Sequence, residues 1–153
     1  MTLLAATLAL AAQAVAAPAP APVAVDFSTA PVAAGSWRYG PVPGGSAASF
    51  VDATGTWRLV IQCNRATRRV SISRISTTAA LSLQLWTDSA ARTLPARFEP
   101  NAFRVTADLA ASDPLLDAIA FSRGRVAVSM PGALPLVVPS WAEPARAIED
   151  CRT

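Results

Sequence analysis

The chain has 153 residues, enough for one domain and not comfortably for two. Charged residues make up 15% and hydrophobic ones 52%, which excludes a wholly disordered chain; 13 basic against 10 acidic side chains give a net charge of +3, short of a nucleic-acid binder's dense basic stripe. There is no histidine and all 13 basic residues are arginine, which excludes imidazole acid–base chemistry, histidine metal sites, Walker-type phosphate loops and Schiff-base lysines together.

In chain order, Leu3 to Ala17 (LLAATLALAAQAVAA) is uncharged, about as long as a signal-peptide apolar region and short for a membrane span. Small residues around Ala14 to Ala17 fit signal-peptidase cleavage, and Pro18, Pro20 and Pro22 end any helix there. A signal peptide is therefore expected over residues 1–17, although the usual basic residues ahead of the apolar run are missing. A short anchor or a buried helix is the alternative. Removing the segment leaves the side-chain balance at +3 and no stable membrane span. Residues 18–35, rich in Ala, Pro and Val, predict a poorly ordered, polyproline-like spacer, and residues 36–153 a single β-rich domain.

From Ser36 the apolar period is two. Trp37 and Tyr39 flank Arg38, and Gly40 to Ser46 reads as a loop. Ser49 to Asp52 predicts a short strand and Thr54-Gly55 a turn. Trp57, Leu59, Ile61 and Cys63 then share one face, with Arg58, Val60 and Gln62 on the other. After a turn at Arg65 to Thr67, Val70 and Ile72 point inward, and Ser71 and Ser73 outward. Leu81, Leu83 and Leu85 share the next inner face, opposite Trp86. Arg92 to Phe98 carries Pro95 and predicts an edge strand or bulge. Phe103, Val105, Ala107 and Leu109 form another inner face.

Asp113-Pro114 then reads as an N-cap with proline at the first helical position, opening a helix to Ser122 with Gly124 as its stop. Arg125 to Met130 and Leu134 to Val138 predict strands around a Pro131-Gly132 turn. Ser140 to Glu143 has the form of a capping box for a last helix to about Asp150. The sum is an antiparallel β-sandwich or small barrel of about eight strands with two short helices.

Cys63 and Cys151 are the only cysteines, 88 positions apart. In an exported chain two cysteines point to one disulfide, which would tether the last helix to a strand; two separate thiols are the alternative, and neither would have an imidazole base. Cys63 and Cys151 cannot complete a zinc site without histidine, so no metal and no cofactor is expected. A pair of carboxylates could still serve a glycosidase; the candidates are Asp52, Asp88, Asp108, Asp113, Asp117, Glu143, Glu149 and Asp150, set against ordinary ion pairing. Ser122-Arg123-Gly124-Arg125 is the most suggestive polar cluster: Arg123 and Arg125 could hold a carboxylate or phosphate, or merely cap carbonyls and pair with Asp117, Glu143 or Glu149. Trp37, Trp57, Trp86 and Trp141 could form a carbohydrate platform; Trp57, in phase with Leu59 and Ile61, reads as core, and Trp37 and Trp86 as the two to inspect for exposure.

The tail LPLVVPSWAEPARAIEDC, the segment DPLLDAIAFSRGRVAVSMPG and the strand LVIQC resemble small exported bacterial proteins without assigned function, over roughly Trp57 to Cys151. The layout of a Cys-ending strand, a later helix-to-strand segment and a C-terminal Cys is also similar to that of the all-β invasion-associated locus B proteins. That likeness implies the Cys63–Cys151 pairing and carries over no other functional residue. The expectation is an exported, non-enzymatic envelope domain, periplasmic or secreted. It would bind an unknown envelope protein or anionic ligand, and no nucleic acid. The alternatives are an inhibitor of an envelope-directed hydrolase such as lysozyme, and a carboxylate-dependent glycan hydrolase.

Overall fold

The computed structural model describes residues 26–153; the expected signal peptide and the first part of the spacer lie outside the described residues. Ten strands and two helices follow in order: β1 (Gly35–Val42), β2 (Gly45–Asp52), β3 (Trp57–Asn64), β4 (Arg69–Ile75), β5 (Ser82–Trp86), β6 (Ala91–Pro95), β7 (Arg97–Glu99), β8 (Arg104–Ala110), α1 (Pro114–Ala120), β9 (Arg125–Met130), β10 (Ala133–Pro139) and α2 (Ala142–Glu149). They form two antiparallel sheets, of six strands in the order β1-β2-β3-β4-β8-β7 and of four in the order β10-β9-β5-β6. The architecture is the expected antiparallel sandwich, with two strands more than the eight expected.

Two local causes raise the count and lengthen the strands. The presumed loop Gly40 to Ser46 is paired almost throughout: Val42 faces Gly45, and only Pro43-Gly44 turns. Gly44 has φ +79°, the left-handed value a Pro-Gly turn requires at its second central position. The segment Arg92 to Phe98 splits at Ala96, because Pro95 has no N–H to continue a ladder; Ala96 instead donates to the Leu81 carbonyl. Its halves become β6 and β7, edge strands of different sheets.

The alternation read from the sequence forms the inner face of the six-stranded sheet. Phe50 pairs Leu59, and Leu59 pairs Arg74; Ala48 pairs Ile61, and Ile61 pairs Ile72; Ser46 pairs Cys63, and Cys63 pairs Val70. Leu83, Leu85, Val126, Val128, Leu136 and Val138 face them from the second sheet. α2 lies against β1, β2, β3 and α1, so helices cover the part of the larger sheet that the smaller one leaves uncovered. Burying such side chains fully contributes about 1.5–3 kcal/mol each.

The two sheets cross rather than run side by side. At one end of β10, the Leu134 carbonyl accepts from Arg74 of β4; at the other, the Pro139 carbonyl accepts from Trp37 Nε1 of β1 at 2.8 Å. From β4 to β1 is about 14 Å across a sheet, and five residues along β10 span about 17 Å. β10 therefore passes over the larger sheet's strands instead of following one of them.

Four expectations are corrected. Leu81 and Phe103 leave the inner face and stand 82% and 58% exposed; both precede their strands, and Phe103 has φ +48° at the close of a 3₁₀ turn. Trp57 is only half-buried, at an irregularity in the β2–β3 register. The capping box is absent: Trp141 is the N-cap of α2 without a side-chain bond, and the Ser140 hydroxyl donates instead to the Ser122 carbonyl at 2.5 Å. Finally, the spacer is not loose up to Ser36. Phe27 is buried against Ala127, Val137 and Trp86 on the outer face of the smaller sheet, and Ala33 donates to the Val137 carbonyl at 2.8 Å. Among the described residues, packing thus begins at Phe27, ahead of the expected boundary at Ser36.

Helix α1 starts as the sequence predicts, with Asp113 accepting from the Leu115 N–H at 2.9 Å, and ends two residues short of Ser122. The Cys63–Cys151 disulfide is present, with 5.3 Å between Cα atoms and both cysteines buried. It joins the turn after α2 to an interior strand. Closing a loop of this length stabilises by roughly 2–4 kcal/mol.

Candidate functional site

Arg123 and Arg125 do not form a shared clamp through the partners they hold. Arg125 Nε donates to the Ala30 carbonyl at 2.8 Å and its Nη1 to the Ser28 carbonyl at 2.7 Å, so its guanidinium fastens the segment before β1. Arg123 has an exposed side chain, and its backbone N–H donates to Asp88 Oδ2 at 3.0 Å. A carboxylate beside the loop works against an anionic ligand. The expected partners Asp117 and Glu149 pair instead with Arg152, at 2.7 and 3.0 Å.

The candidate carboxylates are distributed among structural duties. Asp52 accepts from the Thr54 hydroxyl and from the N–H groups of Thr54 and Thr56 in the β2–β3 turn. Asp88 takes the Arg123 N–H, and Asp108 pairs with Arg97. Asp113 caps α1 and pairs with Arg92 at 2.8 Å. Burial alone would raise the Asp113 pKa, but the Arg92 and Leu115 hydrogen bonds outweigh it and hold the carboxyl below its ordinary value. Glu143 has one buried oxygen without a partner.

Asp150 closes a cluster at the β1–β2 hairpin. Tyr39 donates its hydroxyl to it at 2.5 Å, and Arg65 stands 3.6 Å away. The Ser46 hydroxyl, the Tyr39 hydroxyl and the Arg65 charge hold Asp150 below the usual carboxylate range, and the same hydrogen bond raises Tyr39. The buried Ser46 Oγ itself completes no hydrogen bond, so the Tyr39 contact is the better formed of the two. Glu99, which the list of candidate acids overlooked, is raised by burial but pulled lower by hydrogen bonds from Arg104 and Thr106 and by the Arg97 charge. Asp52, Glu99, Asp113 and Asp150 all favour the charged form, whereas a general acid needs the opposite shift.

The tryptophans do not share one exposed face. Trp37 is buried and hydrogen-bonded, Trp86 packs edge-on against Phe27 at 5.9 Å between ring centres, and Trp141 is 46% exposed.

The feature with binding character lies elsewhere. Arg74 continues the inner phase of Val70 and Ile72 and is 6% exposed. Its guanidinium donates to the carbonyls of Val128, at 2.7 Å, and Leu134. Among the described residues it has no carboxylate partner. Burying a cation without a counter-charge costs several kcal/mol, which carbonyl dipoles offset only in part. Burial first, then the neighbouring Arg58 charge, lower the Arg74 pKa.

Both arginines line a groove of about 610 Å³ between the end of β4 and the β9–β10 hairpin. That volume is in the range of small-molecule sites. Met130, Leu134 and Leu136 supply apolar wall, with Leu134 86% exposed, and Ser76 and Thr78 supply polar wall. Among the described residues no acidic side chain lines it.

Sequence reasoning missed Arg74 because the alternation was followed only to Ser73; an arginine in phase with Val70 and Ile72 was the available signal. The Tyr39–Asp150 contact spans 111 positions and had no local signal. Among the described residues no cluster of three or more potential ligands is placed to hold a metal, and no helix is long and apolar enough to cross a membrane. Compared with protein-family models, curated proteins and solved structures, the chain matches none.

Proposed function

We propose that the chain is an exported, non-enzymatic β-domain of the bacterial envelope that acts by binding. The observation that carries this reading is the buried Cys63–Cys151 disulfide, since such bonds persist in oxidising compartments and are rare in reducing ones. The apolar run Leu3 to Ala17 and the resemblance to small exported bacterial proteins support the same location. Acids committed to arginines, turns and caps support a non-catalytic role. The arginine-lined groove supports binding, and it replaces the Arg123–Arg125 loop as the place to look for a ligand.

Cell fractionation with N-terminal sequencing tests the location: the processed chain should start near Pro18 and be found in the periplasm or medium. An intact Met1 on cytosolic protein overturns export. Incubation with peptidoglycan should release no fragments, and turnover would replace the binding reading with a carboxylate-dependent hydrolase.

A further inference from the structure

We propose that the groove between the end of β4 and the β9–β10 hairpin binds a small organic anion, an oxyanion head on a short apolar chain. The proposal rests on reading the chain as a binding domain and names the ligand class.

Arg74 is the fixed charge of this groove. Its side chain is held in place by two backbone carbonyls and is almost wholly buried. A guanidinium has five N–H donors, and these bonds occupy two of them. Arg58 lines the same groove and keeps 44% of its side chain exposed. Its one acidic partner among the described residues, Asp52, is 3.5 Å away and already accepts from Thr54 and Thr56. Two like charges therefore border one concavity whose lining has no acid, so an oxyanion there offsets their repulsion. Arg74 supplies a fixed positive field from behind, and Arg58 a mobile fork that can close on the head.

The groove also has an apolar lining. Leu134 exposes nearly all its surface beside Met130 and Leu136, although β10 is otherwise buried from Leu136 to Val138. The Leu134 carbonyl is the atom that accepts from Arg74, so the apolar wall and the cation are tied together. Ser76 and Thr78 are linked to each other, Ser76 donating to the Thr78 carbonyl at 2.6 Å, which steadies the far rim. A free inorganic anion would use only the arginines; a neutral alkyl compound would use only the leucines.

The test is titration of the oxidised full chain with octanoate, octyl phosphate, octanol and inorganic phosphate, followed by NMR of arginine Nε–H and leucine methyl groups. At least one octyl anion should shift Arg58, Arg74 and Leu134 and bind about tenfold more tightly than octanol or inorganic phosphate. The preferred head group distinguishes carboxylate from phosphate ligands. Arg58→Gln should weaken that binding about tenfold at unchanged melting temperature, because Arg58 is exposed. Leu134→Ser should weaken the octyl anions and leave inorganic phosphate unaffected. The proposal is overturned if octanol matches both octyl anions, if the shifts map to other residues, or if Arg58→Gln binds as the parent does. Cytosolic location would contradict export and leave this result standing; a flat titration on correctly exported protein would do the reverse.

Discussion

Arg125 and Arg74 show how one residue type serves opposite ends of the β9–β10 hairpin. In both, the guanidinium donates to two backbone carbonyls, and neither has a carboxylate partner among the described residues. Arg125 uses its fork to hold the Asp26–Ala34 segment on the smaller sheet. Arg125→Gln should therefore destabilise the fold by roughly 1–2 kcal/mol, the loss of hydrogen bonds to a charged donor. Hydrogen exchange should rise selectively over residues 26–34. Unchanged exchange there would mean that Phe27 alone holds the segment. Arg125 was legible in the sequence as an unusual residue but not in its role, because its partners lie in a stretch whose Ala and Pro content reads as a spacer. Phe27 was the one contrary signal, a lone aromatic side chain in that stretch.

At the scale of elements, local chemistry decided where the sequence could be read correctly. Asp113-Pro114 folds as read because cap and first turn are adjacent and no competing acceptor intervenes. Ser140 to Glu143 has an equally good local pattern and fails. The Ser122 carbonyl captures the Ser140 hydroxyl across 18 positions, a partner that no local rule can anticipate. Ser140→Ala should accordingly cost about 1 kcal/mol through that bond, whereas Glu143→Gln should stay within about 0.5 kcal/mol of the parent. Chemical denaturation of the two variants checks this, and equal losses would reinstate the capping box. The strands were legible over their inner faces, since period-two burial is a strong signal at Leu59, Ile61, Cys63, Val70 and Ile72. Their ends were not: the Gly and Pro content of Gly40 to Ser46 reads as a loop although only Pro43-Gly44 turns, and nothing local marks the change of sheet at Ala96.

Over the whole molecule, the acid–base balance and the disulfide set the conditions under which the fold persists. Asp52, Asp113 and Asp150 have folded pKa values below their ordinary 3.8. Their stabilisation is complete above that ordinary value and is lost as pH falls through the lower folded values. With no histidine in the chain, stability should be flat between about pH 5 and 8 and fall in the acid range below about 4. Thermal melts across pH check both limbs; a transition near pH 6.5 would contradict them.

Under the proposed function, an oxidised staple fastens the C-terminal tail to the body of an exported chain. Non-reducing peptide mapping of the protein isolated from cells tests it most directly. The predicted result is a linked peptide pair joining Cys63 to Cys151, with no thiol open to alkylation. Recovery of both cysteines alkylated, from protein never exposed to a reductant, would contradict it.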